Sequence, residues 1–211
     1  MTGWRLRPAP TGAGRPLPMR CLPVPGESFA SYVGRLCAFQ PRILEMSPTT
    51  MLARIGLLPQ EDHRAFLPGY GLMLTPEHRS TFARVTRLNE QTVAALLLTH
   101  YVGVCLELPD LDPASSDFAR RTGHANWVYL TGTHVGPCCL AQPAATPWPD
   151  GDPLTRAWLL AWKLPWTFLC LTHQRFLLGS ARAAGSARAI SVQNWGPCHA
   201  SAPTRPGPAS A

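Results

Sequence analysis

The chain has 211 residues, of which 45% are hydrophobic, so it can bury one moderate core or two small ones. Its 19 Lys and Arg residues outnumber its 12 Asp and Glu residues, and the formal charge of +7 favours an anionic partner. Lys163 is the only lysine. This arginine bias suits bidentate phosphate contact, but it is also typical of a GC-rich genome.

The cysteines and the apolar runs argue against an exported or membrane protein. The first twenty residues hold no apolar stretch of the roughly seven to fifteen residues that export requires. The longest apolar run, residues 157–171, is too short for a membrane span and contains Lys163 and Pro165. We therefore expect a cytoplasmic protein without membrane contact, whose clustered cysteines bind metal rather than form disulfides.

The N-terminal part predicts a basic arm followed by an amphipathic helix. Residues 1–16 are rich in Pro and Gly and poor in apolar side chains, which predicts a flexible arm. Pro25-Gly26-Glu27-Ser28 offers a cap, after which apolar residues recur at helical spacing. The outer face of this helix, especially Arg35, is expected to meet a partner. The predicted inner face comprises Phe29, Tyr32, Val33, Leu36 and Phe39.

Three further short helices are predicted from their first residues. Ser47-Pro48 starts a helix that Gly56 ends, Thr75-Pro76 starts the next, and Asn89 caps the fourth. About three residues around Leu88 join the last two, which is the spacing of a helix-turn-helix. The inward-facing residues are predicted to be Met51, Leu52, Ile55, Phe82, Val85, Val93, Leu96 and Leu97.

The fourth helix lacks the side chains of a DNA recognition helix. Such a helix presents Arg, Lys, Asn or Gln to base edges from its first turns, whereas this one starts at Glu90 and has no cation. Arg79, Arg84 and Arg87 lie on and just after the preceding helix, where they can contact phosphate or form a solvated face. We expect a structural or protein-binding helical pair, with these arginines as candidate phosphate contacts.

A second motif has the spacing of a small zinc site. Cys138 and Cys139 precede a Cys170-x-x-His173 pair by about thirty residues, and zinc takes about four N or S ligands. Cys139, Cys170 and His173 are three candidate ligands for one ion. Either Cys138 or His134 is predicted to supply the fourth. Because adjacent cysteines seldom both reach one ion, His134 and Cys138 together with Cys170 and His173 form a competing ligand set. The Trp-rich segment 158–166 is expected to cover the metal.

The fold class that follows is mainly α, with a small zinc-binding α+β lobe. We predict a helical region over residues 17–112 and a zinc-finger-like region over 117–199, joined by a Pro- and Asp-rich linker. A short strand is expected around residues 127–130. Residues 200–211 are of low complexity and are predicted to be a disordered tail.

The N-terminal and cysteine-containing motifs together resemble the TniQ family. The family pattern has a Leu-Pro-x-Pro-Gly-Glu-Ser start, as in residues 22–28, then Cys-Pro-x-Cys-Leu, Leu-Pro-Trp and Cys-x-x-His. This chain departs from it at both leading cysteines, which are Gly136 and Gly196. A second metal site would retain only Cys198 and His199, so it is expected to be empty or absent.

The resemblance implies a non-catalytic adaptor in DNA transposition. Such a protein would link an AAA-type ATPase to target DNA or to a target-finding complex, and a homodimer is compatible with this role. The alternatives are a helix-turn-helix transcription regulator and a decayed family member. A Cys-His hydrolase would need Cys170 or Cys198 with a base such as His100, His124 or His134. Neither cysteine has a nucleophile signature around it, so we expect no catalysis.

Overall fold

The computed structural model describes residues 15–44, 48–57, 71–108, 116–128, 133–141 and 157–180. These parts are mostly helical, with a few short strands, and none of their helices is long and apolar enough to cross a membrane. The α-helices are α1 (Phe29–Leu44), α2 (Pro48–Arg54), α3 (Pro76–Thr86), α4 (Glu90–Ala95), α5 (Ser116–Asn126) and α6 (Pro137–Ala141). The strands are β1 (Thr133–Val135), β2 (Leu169–Cys170), β3 (Arg175–Phe176) and β4 (Leu178–Ser180), and 3₁₀ helices span Leu98–Tyr101 and Leu160–Lys163.

Helix α1 begins where its capping sequence predicts. Its first residue, Phe29, follows Ser28, whose hydroxyl oxygen accepts a hydrogen bond from the backbone N–H of Ser31 at 3.4 Å. The predicted inner face is confirmed as far as its side chains are described, since Phe29, Tyr32, Val33 and Leu36 are buried. The side chain of Phe39 lies outside the described residues.

The outer face predicted for Arg35 is wrong. Arg35 is 1% exposed and forms a bidentate ion pair with Glu27, which is fully buried. The Nε of Arg35 donates to Oε1 of Glu27 at 2.8 Å, and Nη2 donates to Oε2. A second acceptor for Nη2 is the carbonyl oxygen of Leu22 at 3.3 Å. A buried guanidinium is tolerated here because a carboxylate neutralises it.

The helix starts predicted at Pro48, Thr75 and Asn89 are confirmed. Thr75 Oγ1 accepts from the backbone N–H of His78 at 3.3 Å, and Asn89 Oδ1 accepts from that of Thr92 at 2.6 Å. Three residues separate α3 from α4 as expected, and the helix-turn-helix interpretation of this pair stays a prediction. Helix α4 ends at Ala95, so the buried Leu96 and Leu97 lie just beyond it.

The largest core cluster lies among α1 to α4 and includes Leu17 of the segment before α1. A second cluster contains residues from both sides of the predicted linker. Leu72 and Leu98 precede the linker in sequence, and Leu160 and Leu164 follow it. The predicted boundary falls between residues 112 and 117, of which 113–115 lie outside the described residues, and it stays a prediction. The two predicted regions nevertheless share this core.

The C-terminal part contains two antiparallel strand pairs, β1 with β4 and β2 with β3. The strand expected around residues 127–130 is wrong at Trp127, which follows the last turn of α5 with a left-handed φ of 58° and is exposed. Residues 129–130 lie outside the described residues. Helix α5 itself has no counterpart among the predicted elements. The predicted arm before residue 15 and the predicted tail after residue 200 lie outside the described residues.

Candidate metal centre

Two strand pairs bring the candidate ligands together. Cys139 lies on α6, which begins directly after Gly136 at the end of β1. Cys170 ends β2, and His173 lies in the turn that leads to β3. Because β1 pairs with β4, which closely follows β3, helix α6 is held beside the β2–β3 hairpin. Ligands more than thirty positions apart in sequence therefore meet through local backbone pairing.

The three donor atoms form a nearly equilateral triangle. The Sγ atoms of Cys139 and Cys170 are 3.3 Å apart, and the Nδ1 of His173 lies 3.2 Å from each of them. All three side chains are half-buried. A triangle of this size allows each donor to lie about 2.0–2.3 Å from a single ion, which are the Zn–N and Zn–S bond lengths. The group can therefore hold a metal ion.

The thiol of Cys139 is held in its protonated form when no metal is bound. Burial, followed by its hydrogen bond with Cys170 and the charges of Cys170 and Cys138, raises its pKa to about 12. A metal ion reverses this preference, because it binds the thiolate and displaces the proton. Metal binding at this group therefore releases protons.

The cover over the centre is apolar. Cys139 and Cys170 pack against a cluster that contains Val135, Leu140, Trp162 and Leu177, with Trp158 and Leu159 partly buried beside it. Of the Trp-rich segment expected to cover the metal, Trp158 and Trp162 thus lie in the cluster beside the two cysteines. The expectation is wrong for Trp166, which is 47% exposed and absent from the cluster among the described residues.

The donor atoms of Cys139, Cys170 and His173 lie within 4.8 Å of one another, and Cys138 and His134 are not part of this group. Each lies close in sequence to the group, Cys138 on α6 and His134 on β1, and each is partly exposed. The predicted second site at residues 196–199 lies outside the described residues. Among the described residues, the group that could hold a metal ion is thus Cys139, Cys170 and His173.

The three candidate phosphate-binding arginines have different surroundings. The Nε of Arg79 lies 3.2 Å from Oε2 of Glu90, so this side chain forms a surface ion pair between α3 and α4. Arg84 is exposed on α3, and Arg87 is exposed at its C-terminal end with a left-handed φ of 60°. The structure thus places two cations on the outer surface near the end of α3.

Residues 18–177 match the TniQ family. This match spans both the helical part and the metal centre. The chain is a member of the TniQ family. Neither a curated protein nor a solved structure matches it. Membership places the chain among transposition-associated proteins, and the matched range includes both the four N-terminal helices and the Cys139, Cys170 and His173 group.

Sequence reasoning missed the contact that joins the TniQ start motif to the Trp-rich segment. The hydroxyl of Ser31 donates to Glu27 at 2.7 Å and accepts from the backbone N–H of Trp158 at 2.9 Å. Two backbone hydrogen bonds belong to the same contact. The N–H of Ser28 donates to the carbonyl of Trp158 at 2.8 Å, and the N–H of Leu160 donates to the carbonyl of Gly26 at 2.7 Å. The available signal was Glu27 itself, a carboxylate preceding an otherwise apolar helix face.

Proposed function

We propose that this TniQ protein is a non-catalytic adaptor in DNA transposition. It links an AAA-type ATPase to target DNA or to a target-finding complex. The observation that carries the proposal is the family match over residues 18–177, which covers nearly all of the described structure. A net charge of +7 is consistent with an assembly that contains nucleic acid.

We propose further that Cys139, Cys170 and His173 hold one zinc ion with a structural role. The ion would join α6 to the β2–β3 hairpin, two elements too short to be stable alone. Zinc bound by these side chains contributes its binding free energy to folding. The apolar side chains of Trp162 and Leu177 beside the site support this role, because they supply no acidic or basic group for catalysis.

The alternative of a helix-turn-helix transcription regulator has weaker support. Helix α4 has only six residues, and the first of them, Glu90, is paired with Arg79. An acid at this position repels DNA phosphates and leaves few donors for base edges. The exposed Arg84 and Arg87 instead favour contact with the phosphate backbone, which positions a protein without specifying a sequence.

A recruitment assay tests the adaptor role. The purified protein, an AAA-type transposition ATPase and labelled DNA are mixed in pairs and all together, and ATPase retention on DNA is measured. An adaptor increases retention only when all three are present. Tight binding to one short DNA sequence without the ATPase would favour the regulator, and no association with either would favour a decayed family member.

A further inference from the structure

We propose that the metal ion in this chain has three protein ligands and one open coordination position, which a small exogenous donor occupies. The donor is water by default, and a thiolate or an imidazole can replace it. This inference rests on the metal centre proposed above. It concerns the coordination position that Cys139, Cys170 and His173 leave unfilled. Neither the family match nor the positions of these three donor atoms assign a ligand to it.

The nearest candidates for a fourth ligand are poorly placed. Cys138 precedes Cys139 on α6, and successive helical side chains project about 100° apart. This geometry disfavours binding of both adjacent sulfurs to one ion once Cys139 faces Cys170 and His173. His134 lies on β1 and, like Cys138, is not among the donors within 4.8 Å of one another.

The position that would complete the tetrahedron is a glycine. Gly136 lies three residues before Cys139, the spacing that puts two side chains on the same side of a turn. A Cβ atom built on Gly136 would lie 3.0 Å from the sulfur of Cys139, so a side chain here would reach the centre. Its other near neighbours are Cζ2 of Trp162 at 3.2 Å and Cδ2 of Leu177 at 3.3 Å, neither of which can donate to a metal.

The backbone of Gly136 does not replace the missing ligand. Its carbonyl oxygen already accepts a hydrogen bond from the N–H of Leu140 at 3.0 Å. Two thiolates and a neutral imidazole also leave a divalent ion with no net charge, so a neutral or an anionic donor can be added. Zinc with three protein ligands takes water or another small molecule in its fourth position.

Cobalt(II) absorption tests the open position, because visible bands of cobalt report the number and type of its ligands. The cobalt-loaded wild-type protein is titrated with imidazole and, separately, with a monothiol, and retained cobalt is measured after gel filtration. We expect the visible bands to shift and saturate while the metal stays bound. Bands that do not respond to either donor would overturn the proposal.

Two variants of Gly136 separate a new ligand from simple crowding. Gly136→Cys is expected to gain thiolate-to-cobalt charge-transfer absorption and to lose the response to imidazole. Gly136→Ala adds the same Cβ without a donor, and its bands should respond as the wild type does. If Gly136→Cys fails to fold, the wild-type titration still decides the question.

Cys138→Ser and His134→Gln test the internal alternatives. Unchanged cobalt bands in both variants are expected from an open position. If either variant changes the bands and the wild type ignores imidazole, the fourth ligand is internal, and the proposal fails while the metal centre stands. A wild-type protein that binds no cobalt or zinc would overturn the metal centre together with this inference.

Discussion

The backbone N–H of Trp158 donates a hydrogen bond to the hydroxyl of Ser31 at 2.9 Å, across 127 positions of the sequence. Ser31 in turn donates to Glu27, which also neutralises Arg35. The Pro-Gly-Glu-Ser motif is therefore more than a helix cap. The helix that it starts also binds the segment that packs beside the metal centre, through Ser31 and Trp158. The Glu27 carboxylate accepts hydrogen bonds from both Ser31 and Arg35.

Removing the Glu27 charge should destabilise the protein strongly. Glu27→Gln leaves the Arg35 guanidinium buried without its counter-charge, and breaking a buried pair in this way costs about 3–5 kcal/mol. The free energy of unfolding from urea titration measures this loss. The matched control is Glu90→Gln, which breaks the exposed pair with Arg79 and should cost less than about 1 kcal/mol. Equal losses in the two variants would contradict a structural role for the buried pair.

Loss of one metal ligand should lower both metal content and stability. In Cys170→Ser the centre retains only Cys139 and His173, so we expect most bound zinc to be lost and the unfolding temperature to fall. Zinc per chain and thermal unfolding are measured on the same samples. Cys105→Ser is the matched control, because Cys105 is exposed and is not part of the group. A Cys170→Ser protein as stable and as zinc-loaded as this control would refute the centre.

Deleting the N-terminal arm should leave folding intact. Removal of residues 1–16 ends just before Leu17, whose N–H donates to the carbonyl of Val85 at 2.8 Å and whose side chain is fully buried. We expect an unchanged unfolding temperature and weaker binding to DNA or the ATPase, since arginines are lost. Leu17→Ala, in contrast, should cost about 2–5 kcal/mol. Unchanged binding after the deletion would show that the arm is inert.

The arginines at the end of α3 should contribute to the salt dependence of DNA binding. A protein with both Arg84→Gln and Arg87→Asn should show a log–log salt slope smaller by about 2, with little change in sequence preference. Asparagine is chosen at Arg87 because it tolerates the left-handed φ of 60°. Arg120→Gln, which removes an exposed cation paired with Asp117, is the control. A strong preference for one short site at physiological salt would favour the regulator.

Stability should depend on pH through Lys163. Burial lowers its pKa from 10.5 to about 8, so between these values the unfolded chain binds more protons than the folded one. The contribution of Lys163 to stability therefore rises as the pH increases from about 8 to 10.5, by on the order of 3 kcal/mol. Relative to the wild type, Lys163→Met should be most stable near pH 7, and this advantage should shrink toward pH 10.5. Parallel stability curves for the two proteins would refute the assignment.

The helix starts were predictable because they depend on local chemistry. Thr75 and Asn89 each satisfy a backbone N–H of their own first turn, and this requirement can be read from neighbouring residues. The end of α4 was not, because Leu96 and Leu97 continue an apolar pattern past the residue where the helix stops. Apolar spacing identifies which side chains are buried but does not distinguish a helix from the turn that follows it.

The grouping of Cys139, Cys170 and His173 was predictable from spacing, whereas the burial of Arg35 was not. Cys170 and His173 form a pair whose geometry is fixed by a short hairpin, so sequence distance translates into atomic distance. Arg35 lies on α1 outside the predicted inner face, yet it is buried and pairs with Glu27, eight positions earlier. Helical spacing does not reveal this pair, because Glu27 lies before the first residue of α1.

Backbone hydrogen bonds join Gly26 and Ser28 to Leu160 and Trp158, so the C-terminal segment is attached to the N-terminal part by non-covalent contacts as well as by the chain itself. Leu160 and Leu164 also complete a core whose other members, among them Leu72 and Leu98, precede residue 141. A chain cut between residues 141 and 157 should therefore remain a two-fragment complex, and its two halves, expressed separately, should reassemble without a peptide bond between them.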